Sequence, residues 1–277
     1  MSLTAAPPPV LQVRGPQGPW AGALATFERT GVAVVCATQE DWRPHLLTGQ
    51  DLKRLLGRDF RRFRSLASDE LRARFVASRM LVKHLAAGPL QVRPEDLELG
   101  YGMHGRMYLR GCEQVEISLS HTRDVLLVGI SSVGLIGVDT EPADRKLYGR
   151  DVERLMCTPH ERSELDALEL GERNDRLLRL WTLKEAYSKA LGQGLLFPFT
   201  EFGFVPSGWS AQLARADGTP VGDAQWRYWT VPVAERFLGA IAVQNNRRSD
   251  RRDTRVGTAL PQRLVNSIQT SLRARAG

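Results

Sequence analysis

Residues 135–141, LIGVDTE, form an apolar strand pattern that turns acidic at its end. Strand side chains alternate between faces, so Asp139 and Glu141 point the same way. Two carboxylates on one face repel each other unless a cation lies between them. Taken alone, the pair reads first as a solvated strand end. The stretch 181–189, WTLKEAYSK, shifts that balance. Leu177, Leu180, Trp181 and Leu191 place much of this helix in a core, and Glu185 falls near or within that surface. A desolvated carboxylate is costly unless it is paired or bound to metal. The competing reading is an exposed Glu185–Lys189 ion pair at i,i+4, which is common on helices. Three acids with no His or Cys ligand nearby make a hard-oxygen site. Such a site suits Mg²⁺, with Mn²⁺ as a substitute, and Mg²⁺ binds substrate phosphates as well as carboxylates.

Other residues could hold a phosphate. In SLSHTR (118–123), Ser120, His121 and turn N–H groups form one candidate, set against a satisfied turn histidine. Gly105 and Arg106 combine a close-approach glycine with a cation. Arg74 lies on the first long helix, where a solvated face is the default.

These residues need elements to position them. Residues 31–37 read as a buried strand. A helix is predicted from about 69 to 87, capped by Ser68 and ended by Gly88–Pro89. Strand-like segments follow at 97–101, 106–109, 115–120, 125–131 and 135–139. Residues 151–170 and 172–191 read as helices, the second ended by Gly192. Strands follow again at 202–205, 209–213, 225–231 and 237–243. The order is helix then strands, twice, with short spacings that favour antiparallel hairpins. The fold class expected is α+β, with two similar halves related by a pseudo-two-fold. The boundaries are a disordered segment over 1–19, halves over 20–136 and 137–246, and an Arg-rich tail over 247–277. A seam between such halves is a natural cleft.

Composition narrows the function. The chain of 277 residues is 42% hydrophobic and 25% charged, ordinary for a soluble protein. No apolar run spans a bilayer, and the N-terminus reads as no signal peptide. Three scattered cysteines form neither a metal motif nor a disulfide framework, which fits a cytoplasmic setting. The net charge is +7, but residues 247–277 hold eight Arg and two Asp and so carry six of the seven. The body is not a nucleic-acid-binding domain. Only five residues are Lys, and two of them are Lys184 and Lys189.

The pattern as a whole resembles one family. GVDTE is similar to the G-x-D-x-E motif of 4′-phosphopantetheinyl transferases of the surfactin-synthetase type. WTLKEAYSKALGQGL is similar to their W-x-x-K-E-(A/S)-x-x-K-x-x-G-x-G-L motif at every fixed position, and SLSHT resembles the Ser-His segment before the acidic motif. The family often has G-K-P where this chain has Gly105-Arg106-Met107, which keeps the charge and loses the stiff turn.

The resemblance implies the holo-[acyl-carrier-protein] synthase type of reaction. In it, the phosphopantetheine arm of coenzyme A passes to a serine of an apo acyl or peptidyl carrier, in fatty-acid, polyketide or nonribosomal-peptide synthesis. It implies Asp139, Glu141 and Glu185 as metal ligands, with Asp139, Glu185 and Lys189 catalytic. Ser120, His121, Lys184, Lys189, Gly105, Arg106, Arg74 and Arg62 would bind coenzyme A. A monomer is expected. The alternative is a non-catalytic coenzyme A or carrier-protein binder. The loop ADRKLYGR (143–150) offers Leu147 and Tyr148 ringed by Arg145, Lys146 and Arg150 as a carrier dock.

Overall fold

The apolar run VAVVCAT has no polar face to turn to solvent, so its strand must be covered on both sides. That requirement organises the molecule. In the computed structural model, which describes residues 6–42, 49–222 and 224–245, the chain begins with β1 (Val10–Gln12) and α1 (Ala21–Thr30). The buried run is β2 (Val32–Thr38). Then come α2 (Gly49–Leu56), α3 (Phe60–Arg64) and the long α4 (Asp69–Leu90). The strands β3 (Leu99–Tyr101) and β4 (Met107–Leu109) form a small hairpin. They precede β5 (Glu116–Thr122) and β6 (Val125–Ser131). A second series follows: β7 (Ile136–Pro142), α5 (Val152–Met156), α6 (Pro159–Ala167) and α7 (Leu170–Leu191). It ends with β8 (Phe202–Ser207), β9 (Ser210–Arg215), β10 (Trp226–Val233) and β11 (Phe237–Gln244).

The fold is α+β. One sheet has the order β1-β2-β6-β5 and the other β7-β11-β10-β9-β8. The adjacency β2-β6-β5 recurs as β7-β11-β10, with the same order of elements between. All pairs are antiparallel except β1–β2. Three cores separate the layers. Ala33, Val35 and Ala37 of β2 pack with α4, and Ala240 and Ala242 of β11 pack with α7. The opposite faces, Val32, Val34 and Cys36 with Trp229, Ile241 and Val243, form a third core shared by the two sheets. The two 22-residue helices therefore sit on outer faces, and the first half of α4 and the last turns of α7 line one cleft.

Three expectations change. Residues 1–19 are not disordered throughout. Val10–Gln12 pair with Val34–Cys36, and Val13 is buried, because the β2 edge would otherwise leave its backbone unpaired. Gly88–Pro89 does not end α4, which runs to Leu90 and is closed by Gln91 in the left-handed conformation. The helix expected over 151–170 is broken. Thr158 and Pro159 start α6 with a capping box, Thr158 Oγ1 accepting from Glu161 N at 3.2 Å and Glu161 Oε2 accepting from Thr158 N at 2.8 Å. No helix among the described residues is long and apolar enough to cross a membrane. The tail over 247–277 lies outside the described residues.

Candidate active site

The site begins with a glycine. A Cβ on Gly137 would lie 1.9 Å from the Ala186 carbonyl oxygen and 2.6 Å from Ala190 N, so the backbone of α7 rests directly on β7. Two residues along β7, Asp139 meets the last turns of α7. Lys189 Nζ donates to Asp139 Oδ1 at 2.6 Å and to Ser120 Oγ at 2.9 Å. Ser120 Oγ donates to the same carboxylate oxygen at 2.8 Å and accepts from Thr140 N at 3.3 Å. Two residues back, Ser118 Oγ accepts from Val138 N at 3.0 Å. The serines of β5 thus stitch the edges of the two sheets together, and the Lys189–Ser120–Asp139 triangle sits on that seam.

Glu141, on the same face of β7 as Asp139, accepts from Arg145 and, at 3.0 Å, from Trp181 Nε1. The Arg145 guanidinium lies over the Trp181 ring at 5.2 Å. Glu185 has no such partner. Its pKa is raised, first by loss of hydration, then by the Asp139 charge, with a smaller push from Glu141; Lys189 and Arg145 oppose this. Glu185 Oε1 and Asp139 Oδ2 are both fully enclosed without a hydrogen bond. Two orphaned carboxylate oxygens in mutually repelling groups are what a bound cation would relieve. These donors fit a divalent ion. As placed, however, no three acidic, His or Cys side chains among the described residues converge as a metal cluster. Asp139 Oδ1 is held by Lys189, and Glu141 is held by Arg145.

Beside this seam opens a cleft of about 490 Å³ walled from both sheets' sides. Arg62, Arg74, Arg79, Arg106, His121 and Lys189 line it, together with Glu185. The sequence singled out all of these except Arg79. Five cationic side chains and a histidine around one cavity make a receptor for a polyanion. His121 is exposed at the mouth. Its pKa is lowered by partial loss of hydration in the cleft and then by Arg74, Lys189 and Arg79, which favours the neutral ring. Arg106 pairs with Glu116 at 3.0 Å. Its stem packs where a Cβ on Gly192 would come within 3.0 Å, and Gly192 closes α7 at φ 73°. Gly105, at φ 80°, gives the turn that precedes Arg106.

Lys184 is not with them. Its ammonium is buried in the second core and donates to the Met156 and Phe199 carbonyls, each at 2.6 Å, and to Glu161 Oε2 at 2.7 Å. One residue from Glu185, it points 100° away around the helix, so it closes the fold and does not bind co-substrate. The loop 143–150 also differs from expectation. Leu147 is buried, Arg145 is committed to Glu141, and the Tyr148 hydroxyl accepts from Arg173 Nη1 at 2.6 Å, so no apolar anchor is exposed there. Glu161 was missed because nothing in the sequence marks which buried lysine it answers. Arg79 and its partners Tyr101 and Asp59 were missed because they are far apart in the chain, although a buried Arg in the run FVASRMLV is a readable signal.

Residues 135–242 match the family model of the 4′-phosphopantetheinyl transferase superfamily. The resemblance read from the motifs holds at that level, over the part of the chain that carries Asp139, Glu141, Glu185 and Lys189. A Synechocystis sp. protein whose name assigns it to the 4′-phosphopantetheinyl transferases is 32% identical over 124 residues, 44% of this chain and 50% of its own. A Bacillus subtilis 4′-phosphopantetheinyl transferase is 27% identical over 123 residues, 44% of this chain and 54% of its own. The chain therefore spans about half the length of these two relatives. A Thraustochytrium sp. phosphopantetheinyl transferase is 26% identical over 220 residues, 74% of this chain and 76% of its own. A solved holo-[acyl-carrier-protein] synthase of Thermotoga maritima superposes only partially, at a TM-score of 0.32 and 25% identity over 42% of this chain and 64% of its own.

Proposed function

We propose that this protein transfers the 4′-phosphopantetheine group of coenzyme A to a serine of an apo acyl or peptidyl carrier, releasing adenosine 3′,5′-bisphosphate. It would act as a Mg²⁺-dependent monomer in the cytoplasm. The observation that carries the reading is the seam itself: Lys189, Ser120 and Asp139 joined across two sheet edges, with the unpartnered Glu185 carboxylate beside them and a cationic cleft alongside. We further propose that the halves 20–136 and 137–246 are repeats of one unit, with the repeated strand adjacency in support.

In this reaction the carrier serine oxygen forms a bond to the phosphorus that bears the pantetheine arm. The bond from that phosphorus to the adenosine 3′,5′-bisphosphate oxygen breaks. Asp139, Glu141 and Glu185 would hold the Mg²⁺ (or Mn²⁺), which neutralises charge on the pyrophosphate. Arg62, Arg74 and Arg106 hold the phosphates of coenzyme A in the cleft, and neutral His121 donates a hydrogen bond at its mouth. Lys189, already fixed by two hydrogen bonds, stabilises charge on the departing phosphate. Glu185, enclosed beside Asp139, would accept the serine proton directly or by way of a water held at the same site.

The test is the intact mass of an apo-carrier incubated with the protein, Mg²⁺ and coenzyme A. One phosphopantetheine should be gained, and chelator should abolish the gain. No gain across fatty-acid, polyketide and nonribosomal-peptide carriers, with coenzyme A binding retained, would leave the non-catalytic binding protein as the better reading.

A further inference from the structure

Arg79 lies on α4, well away in sequence from the acidic motifs. The residue is 8% exposed, yet it lines the cleft. The guanidinium carbon sits 3.8 Å from the centroid of the Phe75 ring, which fixes its plane. Nη1 donates to Ser78 Oγ at 2.9 Å, and Nη2 donates to the Tyr101 hydroxyl at 3.1 Å. That hydroxyl donates in turn to Asp59 Oδ2 at 2.6 Å. Asp59 itself is buried, and its Oδ2 lies 3.5 Å from Arg79 Nε without hydrogen-bond alignment.

A guanidinium has five N–H donors. Two are hydrogen-bonded here, and a third faces Asp59. The other two belong to the Nη atoms and have no hydrogen-bond partner among the described residues. If the network served only to bury an ion pair, Arg79 would turn its fork onto Asp59, because bidentate pairing is the stronger arrangement. Instead Nε alone approaches the carboxylate directly, at 3.5 Å, and Tyr101 bridges Nη2 to it. Its hydroxyl accepts from the cation and donates to the anion, so the chain Arg79→Tyr101→Asp59 has one direction and one geometry. Arg62, whose guanidinium lies 5.5 Å from the Tyr101 ring centroid, adds a second cation on the same wall.

We propose that Arg79 is a phosphate-binding residue of the cleft, and that Tyr101 and Asp59 are positioning residues that keep its fork turned toward the ligand. The inference rests on the reading of the cleft as a coenzyme A site and adds a residue to it. Arg79 meets Asp59 through Nε alone, at 3.5 Å, and through the Tyr101 hydroxyl, so the buried guanidinium keeps two Nη hydrogens for an incoming anion. The Tyr101 hydroxyl is suited to this, since burial and the neighbouring Asp59 hold its pKa at about 12 and it stays protonated.

Calorimetric titration of the full chain with coenzyme A, and separately with inorganic pyrophosphate, tests the assignment on Tyr101→Phe and Arg79→Lys. Tyr101→Phe should raise the Kd for both ligands about tenfold, with Tm within a few degrees of the parent, because the guanidinium swings onto Asp59. Arg79→Lys should do the same by losing the fork while keeping the charge. In steady state the KM for coenzyme A should rise more than kcat falls. Unchanged affinity for both ligands in both variants overturns the proposal, as does a parent protein that binds neither ligand. If Tyr101→Phe proves unstable, Arg79→Lys alone decides. A parent that binds coenzyme A in a Tyr101-dependent way yet modifies no carrier sinks the transfer reading and leaves this one standing. Carrier modification with unchanged variant affinities does the reverse.

Discussion

Helices α4 and α7 each bury a lysine completely, and each lysine donates to a backbone carbonyl 28 residues upstream: Lys83 to Leu55 and Lys184 to Met156. The two are otherwise unlike. Lys184 also binds Glu161 and the Phe199 carbonyl, so its three N–H groups are all used. For Lys83 the Leu55 carbonyl is the hydrogen-bond acceptor, and Glu98, Asp59 and Glu95 act on it only through space. The residues that follow also diverge. After Lys184 come Glu185 and, four residues later, Lys189, both at the seam. At the same spacing α4 has His84, packed against Trp20 and Trp42, and Gly88. One scaffold device is thus used twice. In α7 it is saturated and holds the turns that carry Glu185 and Lys189. In α4 it is looser, and the chemistry is limited to arginines earlier on the helix. On the proposed reading, residues 137–246 supply the reactive groups and residues 20–136 supply most of the anion receptor.

The largest effect expected from this division is on turnover. Glu185→Gln or Lys189→Met should lower kcat by about 100-fold or more, while Gly88→Ala, whose new methyl would meet only Leu24 Cδ1 at 3.9 Å, should change it little. Equal losses at residues 88 and 189, measured as rate per folded molecule, would erase the distinction between the helices.

Stability should separate the lysines next. Lys184→Met strands the buried Glu161 carboxylate and should cost about 3–5 kcal/mol in urea unfolding. The double variant with Glu161→Gln should recover much of that. Lys83→Met strands no hydrogen-bonded carboxylate and should cost clearly less. A Lys83→Met loss as large as that of Lys184→Met would show that the two ties are equivalent.

A pH series sharpens the assignment of Glu185. Its folded pKa is above the ordinary value of 4.5, so the native state binds more protons than the unfolded chain between those two values. Its contribution to stability is therefore greatest at low pH and is lost as pH rises from about 4.5 through the folded pKa. Activity should move the opposite way, rising with pH over the same window as the base ionises. Glu185→Gln should flatten this part of the stability curve, measured as Tm from pH 4 to 8. An unchanged slope would mean that another group titrates there.

The smallest effect should come from the exposed charges of the loop 143–150. With Leu147 buried and Arg145 taken up by Glu141, Lys146→Glu with Arg150→Glu should alter the carrier KM by only about two- to threefold. A larger rise, with the coenzyme A KM unmoved, would restore the loop as a docking surface.

Much of the site was legible because its signals are local. The alternation in LIGVDTE puts Asp139 and Glu141 on one face, and the spacing of four brings Glu185 and Lys189 to one side of α7. Lys184 was misread because an apolar stripe on a wholly packed helix leaves two buried directions, and spacing alone cannot say which one faces the cleft. Strand β1 was missed because three residues paired to an edge leave no periodic trace.

By itself the sequence determined which side chains could do chemistry, the strands and helices that carry them, and the family motifs they form, since all of these depend on neighbours within about one helical turn. Only the tertiary structure decided that Ser120 would meet Asp139 across two sheet edges, that Lys184 would answer Glu161, and that Tyr101 would bridge Arg79 and Asp59. Those contacts join residues 19, 23, 22 and 42 positions apart. They depend on how buried faces stack, and no local pattern encodes which distant polar group will satisfy a buried one.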